Sequence, residues 1–210
     1  MADATAVLFG IANLYVAEFD ATNAFPIDTV GAGDFGPVWT KGAGQTPVWA
    51  GVGYTQEGVA FNMSIDRGEI AADQVLDPLF RPITGRSVTL ASNLIEFTPN
   101  NLKLGLGQGA VSTVAAGAST RGYDQYAVTG NVVDAYNTWG VDAQQPDDGE
   151  PFRLIAWKGL ATSSLQSTLG QRDTAARVPI EITALPDDSV SPARILTLRK
   201  YIPALSLIHI

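Results

Sequence analysis

Apolar and polar residues alternate with period two along most of the patterned segments of the chain. In the clearest segment, apolar residues alternate with small or acidic ones: Val59, Ala60, Phe61, Asn62, Met63, Ser64, Ile65 and Asp66. This alternation predicts a β-strand with one buried face. Similar runs predict further strands in residues 14–19, 87–91, 152–157, 178–183 and 195–202. Because 21 glycines and 12 prolines punctuate these runs, the chain is predicted to be mainly β.

One short helix is predicted near the middle of the chain. Thr98 is a favourable N-cap, and Pro99 suits the first helical position. Leu102 and Leu106 are four residues apart and share one face. Three glycines offer a C-terminal stop: Gly105, Gly107 and Gly109. We expect this helix to lie on a sheet.

The length of 210 residues favours a single domain. Two long irregular stretches are predicted, at Ala21 to Pro47 and at Gly107 to Glu150, and loops of that length are usually functional, disordered or ordered by a partner. The last six residues, Leu205 to Ile210, match a translated transposon end used in sequencing-library preparation. We therefore expect the domain to span residues 1–204, and residues 205–210 to derive from an adapter.

The charge balance bears on the partners of the chain. Lys and Arg number 13 against 21 Asp and Glu, giving a net charge of -8. An acidic chain without a basic run is poorly suited to gripping DNA through its phosphates. Charged residues make up 16%, against about 25% in an average domain. Since subunit contacts are depleted in charge, this composition indicates an oligomer.

Several kinds of catalytic and cofactor site are disfavoured. The chain has no cysteine, and its one histidine, His209, lies in the adapter-like end, so thiol nucleophiles, Ser-His-Asp sites and Cys or His metal sites are not expected. The glycine pattern from Gly31 to Gly36 resembles a dinucleotide fingerprint, but Pro37 follows it and no helix is predicted there. We expect no enzyme activity and no cofactor, and we predict neither a signal peptide nor a membrane span.

Four segments carry a resemblance to a known family. They are Gly53 to Val59 (GYTQEGV), Ile70 to Gln74 (IAADQ), Glu96 to Leu102 (EFTPNNL) and Val178 to Asp188 (VPIEITALPDD). In series, they resemble the tail tube (major tail) proteins of long-tailed, non-contractile bacteriophages. Each segment is weak alone, and their order along the chain carries the resemblance.

The resemblance implies a fold, a function and partners. The fold is a β-sandwich or rolled barrel with one short flanking helix and long loops. Six copies form a ring, and rings stack head to tail into a tube that conducts double-stranded DNA during ejection, without binding it specifically. The other implied partners are a tape measure protein and the tail terminator and tip proteins. The protein would be made in the bacterial host cytoplasm and would reside in the virion tail.

Two sets of site residues follow from these arguments. The candidate lumen-lining residues are small, uncharged or acidic: Glu57, Ala60, Asn62, Ser64 and Asp66. Such a face offers a sliding polyanion no cation, and six copies carry about -48 per ring. The long early loop is expected to reach a neighbouring ring through Asp28, Gly31, Gly33, Asp34, Phe35 and Trp39.

Other interpretations stay open at this point. The polar strand face could be exposed to solvent or packed against a neighbour. The chain could be another virion β-sandwich, such as a capsid decoration or head-tail connector protein, which would form trimers or a single ring. It could also be a carbohydrate-binding or hydrolytic β-sandwich, in which Trp39 or Trp139 would stack on sugars and a carboxylate pair would act.

Overall fold

A computed structural model describes residues 12–20, 49–72, 75–130, 134–144, 151–165 and 176–200. In this part of the chain the fold is mainly antiparallel β with one helix. The elements are β1 (Ala12–Glu18), β2 (Ala50–Gly51), β3 (Thr55–Arg67), β4 (Ile70–Ala72), β5 (Val75–Phe80), β6 (Ile83–Leu94), α1 (Pro99–Leu106), β7 (Ala110–Val114), β8 (Tyr123–Ala127), β9 (Tyr136–Gln144), β10 (Pro151–Ala161), β11 (Val178–Leu185) and β12 (Leu196–Lys200).

Eight strands form the main sheet, in the order β2-β1-β9-β10-β11-β6-β3, and the eighth strand, β12, pairs with β10. Strand β10 divides one of its edges between two partners. Its first half, residues 152–156, pairs with β12, and its second half, residues 158–161, pairs with β11. Strands β4 and β5 form a separate hairpin, as do β7 and β8.

The main sheet curls so that its two ends meet. The amide of Val52, just after β2, donates to the carbonyl of Leu14 in β1 at 3.0 Å. The hydroxyl of Thr55, which opens β3, donates to the carbonyl of Ala12 at 3.4 Å. The first bond continues the pairing of the β2 segment with β1, and the second joins the start of β3 to β1, so the sheet encloses one of its faces.

The enclosed face carries the larger apolar core. Its members come mostly from the alternating positions of β1, β6, β9, β10 and β11: Leu14, Val16, Val52, Val88, Leu90, Leu94, Trp139, Val141, Leu154, Ala156, Val178, Ile180, Ile182 and Ala184. A second cluster lies on the other face of β1 and β10 and comprises Ala17, Trp49, Ile155 and Trp157. Strands β1 and β10 are therefore buried on both faces, whereas β3, β6 and β11 bury at most one.

The predicted helix is confirmed together with its caps. The hydroxyl of Thr98 accepts from the amide of Asn101 at 3.2 Å, and Pro99 occupies the first turn. Gly107 ends the helix at a φ of 65°, and its amide donates to the carbonyl of Lys103 at 3.0 Å. The helix packs closely on β11, because a Cβ at Gly105 would lie 3.0 Å from Cγ1 of Val178.

The predicted strands are also found, but one loop prediction is wrong. The stretch from Gly107 to Glu150 contains β7, β8 and β9. Strands β7 and β8 are largely exposed on both faces, so they lack the alternation of a half-buried strand. Strand β9 buries polar residues and a glycine beside apolar ones, which hides its pattern. The other predicted loop, Ala21 to Pro47, and residues 205–210 lie outside the described residues.

Candidate functional site

Three adjacent strands, β3, β6 and β11, present a continuous surface of small and polar side chains. Residues paired across antiparallel strands point to the same side, so the register defines its members. They are Ala60, Asn62, Ser64 and Asp66 of β3, Gly85, Ser87, Thr89, Ala91 and Asn93 of β6, and Pro179, Glu181 and Thr183 of β11. We call these twelve residues the polar face. None of them is Lys or Arg.

Alternation along the strands fixes the orientation of the polar face. In β11, Ile180 and Ile182 are buried in the core, so Glu181 and Thr183 between them point outward. In β6, Leu90 is 1% exposed and directs its neighbour Thr89 to the outside. A slip of one residue would bury the polar side chains, and the core therefore holds the polar face in register.

Four of the five predicted lumen-lining residues lie together on the polar face. Ala60, Asn62, Ser64 and Asp66 are all exposed and follow one another along β3. The Asp66 side chain lies over Gly85 of the neighbouring strand, where a Cβ would be 3.2 Å from its Oδ2. The structure thus places these four residues together on one face of β3, and their role in lining a lumen stays a prediction.

Glu57, the fifth, does not belong to the regular face. The register of β3 against β6 shifts between Gln56 and Val59, and Glu57 and Gly58 form the irregularity with φ values of 68° and 71°. A bulge of this kind redirects a side chain away from the strict alternation. Glu57 instead points toward Arg177, with 3.6 Å between its Oε1 and Nη1.

Described cations at the borders of the polar face include Arg67, which follows Asp66 at the end of β3, Arg177 and Lys158. Arg177 precedes β11, and its charge is opposed by Glu57; both side chains are substantially exposed, so this pair contributes little stability. Lys158 of β10 pairs in register with Leu185, beyond the last polar-face residue of β11. Its ammonium lies 4.9 Å from the ring centroid of Tyr136 and 5.5 Å from that of Phe19. Arg177 and Lys158 thus each have a partner at the border of the face.

A shallow depression of about 280 Å³ lies at one end of the polar face, beside the β3 bulge. Ser163 contributes a hydroxyl to its lining, and this oxygen accepts from the amide of Glu181 at 2.7 Å. The Ser163 hydroxyl therefore bonds to the backbone of β11 just beyond the point where the pairing of β10 with β11 ends. No group of three or more His, Cys, Asp or Glu residues that could hold a metal occurs among the described residues.

The described tryptophans do not form a sugar-stacking surface. Trp139, which the carbohydrate interpretation required as an exposed platform, has no exposed surface and belongs to the core. Trp49 and Trp157 are also buried. That role of Trp139 is thus wrong, because its ring faces Gly159 and Ile182 inside the sheet. Trp39 lies outside the described residues.

The predicted inter-ring residues also fall outside the described part of the chain. They are Asp28, Gly31, Gly33, Asp34, Phe35 and Trp39. Their assignment to contacts between rings stays a prediction.

The structure corrects one expectation about β3. Alternation predicted that the apolar side of this strand is buried, yet Phe61, Met63 and Ile65 are 44%, 47% and 45% exposed. Phe61 and Met63 pair in register with the core residues Leu90 and Val88, at the margin of the core, and the described residues leave much of this side exposed. An alternating pattern indicates that a face is apolar, but it does not reveal whether the same chain or another one buries it.

Within the described ranges, no helix combines the length and the apolar content that crossing a membrane requires. Comparison of the sequence with known protein families and with curated proteins gives no match.

Proposed function

We propose that this chain is the structural subunit of a bacteriophage tail tube. Six copies form a ring with the polar face toward the axis, and stacked rings conduct double-stranded DNA out of the capsid. The observation that carries the proposal is the polar face itself, a three-stranded surface of small side chains without Lys or Arg. The resemblance of the four sequence segments supports the same conclusion.

The chemistry of the polar face suits a channel for a polyanion. Its charged members are Asp66 and Glu181, so it repels phosphate and offers no ion pair that would hold the DNA. At physiological salt, charges act over about 8 Å, which restricts this repulsion to DNA close to the wall. The short side chains of residues such as Ala60, Ser64 and Ala91 protrude little from the sheet. The DNA therefore slides past without a specific site.

The fold supports assembly into closed rings. We propose that the curled sheet is the rolled barrel of the tail tube fold, with α1 as its flanking helix. Strand β3 ends the sheet order: beyond the bond of Thr55 to β1, no described strand pairs with its outer edge, and such an edge invites pairing with another chain. A closed ring satisfies such edges between neighbours, whereas stacked rings join head to tail and grow. The low charge content of the chain suits a subunit covered on several sides.

Electron microscopy of the purified protein tests the proposal directly. We expect negative-stain images to show sixfold rings and hollow tubes with a central channel. Trimers or isolated rings that never stack would instead support a capsid decoration or connector protein. A protein that remains monomeric at high concentration would contradict the proposal.

The orientation of the polar face is tested by cysteine labelling, for which the chain is suited because it contains no cysteine. In tubes of the Ser64→Cys variant, we expect a small maleimide to react and a maleimide carried on a large folded protein to be excluded. The same variant, dissociated into monomers, serves as the control and should react with both reagents. Equal reaction of both reagents in intact tubes would place Ser64 on the outside.

The remaining partners follow from the same proposal. A tape measure protein would fill the channel before ejection, and terminator and tip proteins would cap the two ends. The protein would reside in the virion tail after synthesis in the host cytoplasm.

A further inference from the structure

The paired strands β3 and β6 carry an exposed apolar patch at each end. We define the tip patch as Phe61, Met63 and Ile65, and the base patch as Tyr54, Ile95 and Phe97. The register runs from Thr55 opposite Leu94 to Arg67 opposite Ile83, and thirteen residues of β3 span about 40 Å. The two patches therefore lie at different levels along one long ladder.

The tip patch is bordered by positive charge. Ile65 pairs in register with Arg86, so their side chains lie next to each other on the same side of the ladder. Arg67 follows two residues after Ile65 on β3. This side is the reverse of the polar face, because Phe61, Met63 and Ile65 alternate with Asn62 and Ser64.

The base patch is bordered by negative charge. Tyr54 is 78% exposed, and its carbonyl accepts from the amide of Ile95 at 3.1 Å, which joins the two residues side by side. The Glu96 carboxylate lies over this turn, accepting from the amide of Tyr54 at 3.4 Å. Leu94, the last residue of β6, is buried in the core, whereas Ile95 after it lies at a bend and is 37% exposed.

We infer that the tip patch of one copy docks on the base patch of the next copy of this chain. The two patches match in apolar character, and their bordering charges are opposite: Arg86 at the tip and Glu96 at the base. They also lie at opposite ends of the ladder. The inference deepens the proposed function, on which it rests for taking the partner to be a second copy.

The overlap has two consequences for the assembly. The contact joins two different surfaces, so it propagates head to tail and does not close as a symmetric pair. In this contact, Phe61, Met63 and Ile65 of one copy face the next copy. Asn62 and Ser64, on the other side of β3, face away from it. The polar face thus remains uncovered along the tip when successive copies overlap.

Charge exchange tests the contact. We expect Arg86→Glu and Glu96→Arg each to weaken self-association by about tenfold or more, since each places like charges together. The double variant Arg86→Glu, Glu96→Arg restores the opposite charges and should associate as the unchanged protein does. A mixture of the two single variants should also associate, because each tip then meets an opposite base. Sedimentation velocity measures all four, and circular dichroism verifies that each is folded.

Apolar substitution provides an independent test with a matched control. Ile65→Ser removes one tip side chain, and we expect it to weaken association. Val114→Ser removes a side chain of similar exposure, 44% against 45%, from the separate β7–β8 hairpin and should leave association unchanged. Unchanged association of both Ile65→Ser and the single charge variants would overturn the contact.

These outcomes also separate the contact from the proposed function. Hollow tubes that survive every tip and base substitution would overturn the contact and leave the tail tube proposal standing. Rescue by charge exchange, without any ring or channel in electron micrographs, would establish the contact and contradict the tail tube. A protein that never associates would overturn both.

Discussion

Arg194 donates a hydrogen bond from Nε to Oδ2 of Asp187 at 2.8 Å, and this bond fastens the connection between β11 and β12. Asp187 is 1% exposed, and its other oxygen accepts from the amide and the hydroxyl of Ser189. The guanidinium also lies over the ring of Trp157, 3.7 Å from its centroid. Arg194 thereby links the turn to the second apolar cluster.

This arrangement predicts a pH dependence of stability. Burial of Asp187 by itself would raise its pKa, but the hydrogen bonds from Ser189 and Arg194, with the charge of Arg194, lower the pKa below the ordinary 3.8. A carboxyl group with a lowered folded pKa adds stability above its unfolded pKa and loses it as the pH falls through the folded one. We expect the free energy of unfolding to decrease as the pH falls below about 4.

The variant Asp187→Asn tests that assignment. It keeps the shape of the side chain but removes the charge-assisted bonds, and we expect a loss of about 2 kcal/mol at neutral pH. The loss should shrink at low pH, where the wild-type carboxyl is protonated as well. Chemical denaturation at several pH values measures both effects. A loss that is the same at every pH would show that the charge of Asp187 is unimportant.

Gly159 is predicted to tolerate no side chain. A Cβ there would lie 2.5 Å from Cδ1 of Trp139 and 2.7 Å from Cγ2 of Ile182, both in the core. Because neither neighbour can move freely, we expect Gly159→Ala to cost about 1–3 kcal/mol, measured by thermal or chemical unfolding. Gly130→Ala is the matched control, since nothing lies within 4 Å of its added Cβ. Equal stability of the two variants would contradict the packing described for β10.

A substitution at the N-cap of α1 is expected to have a smaller effect on stability. The hydroxyl of Thr98 caps the amide of Asn101, so we expect Thr98→Ala to lower the free energy of unfolding by about 1 kcal/mol. Thr98→Ser keeps the hydroxyl and should retain most of the stability. Comparison of the two variants by chemical denaturation separates the cap from other effects of the substitution.

The strands and the helix could be predicted because their signals are local. Half-buried strands such as β11 alternate clearly, and the signals that begin and end α1 are single residues at fixed positions. The weak alternation of β7 and β8 has a physical cause, since neither face of that hairpin is buried. Prediction fails there because no core imposes a pattern.

The polar face could be predicted only in part. The alternation of Asn62 and Ser64 with apolar neighbours predicted the members of the polar face on β3. Its members on β6 and β11 depend on the strand register, which is a long-range property of the sheet. The bulge at Glu57 was missed because a residue other than glycine at positive φ has no regular sequence signal. The exposure of Phe61, Met63 and Ile65 was missed because alternation shows that a face is apolar but not whether the chain buries it.

The pair formed by Arg153 and Asp142 leads to the last prediction. These residues are in register on β10 and β9, with 3.7 Å between Nε and Oδ1, and Arg153 has no exposed surface. Tyr15 lies nearby: its burial raises the pKa of its hydroxyl, the Asp142 carboxylate raises it further, and Arg153 lowers it.

Removing one partner of this pair leaves the other charge buried. We therefore expect Asp142→Asn to cost about 3–5 kcal/mol of the free energy of unfolding. Replacing both residues with apolar ones, as in Asp142→Leu with Arg153→Met, should recover much of that loss, because no charge is then buried. Chemical denaturation of the two variants beside the unchanged protein decides the matter. If the double replacement is less stable than Asp142→Asn, the buried charge of Arg153 is not what makes the single change costly.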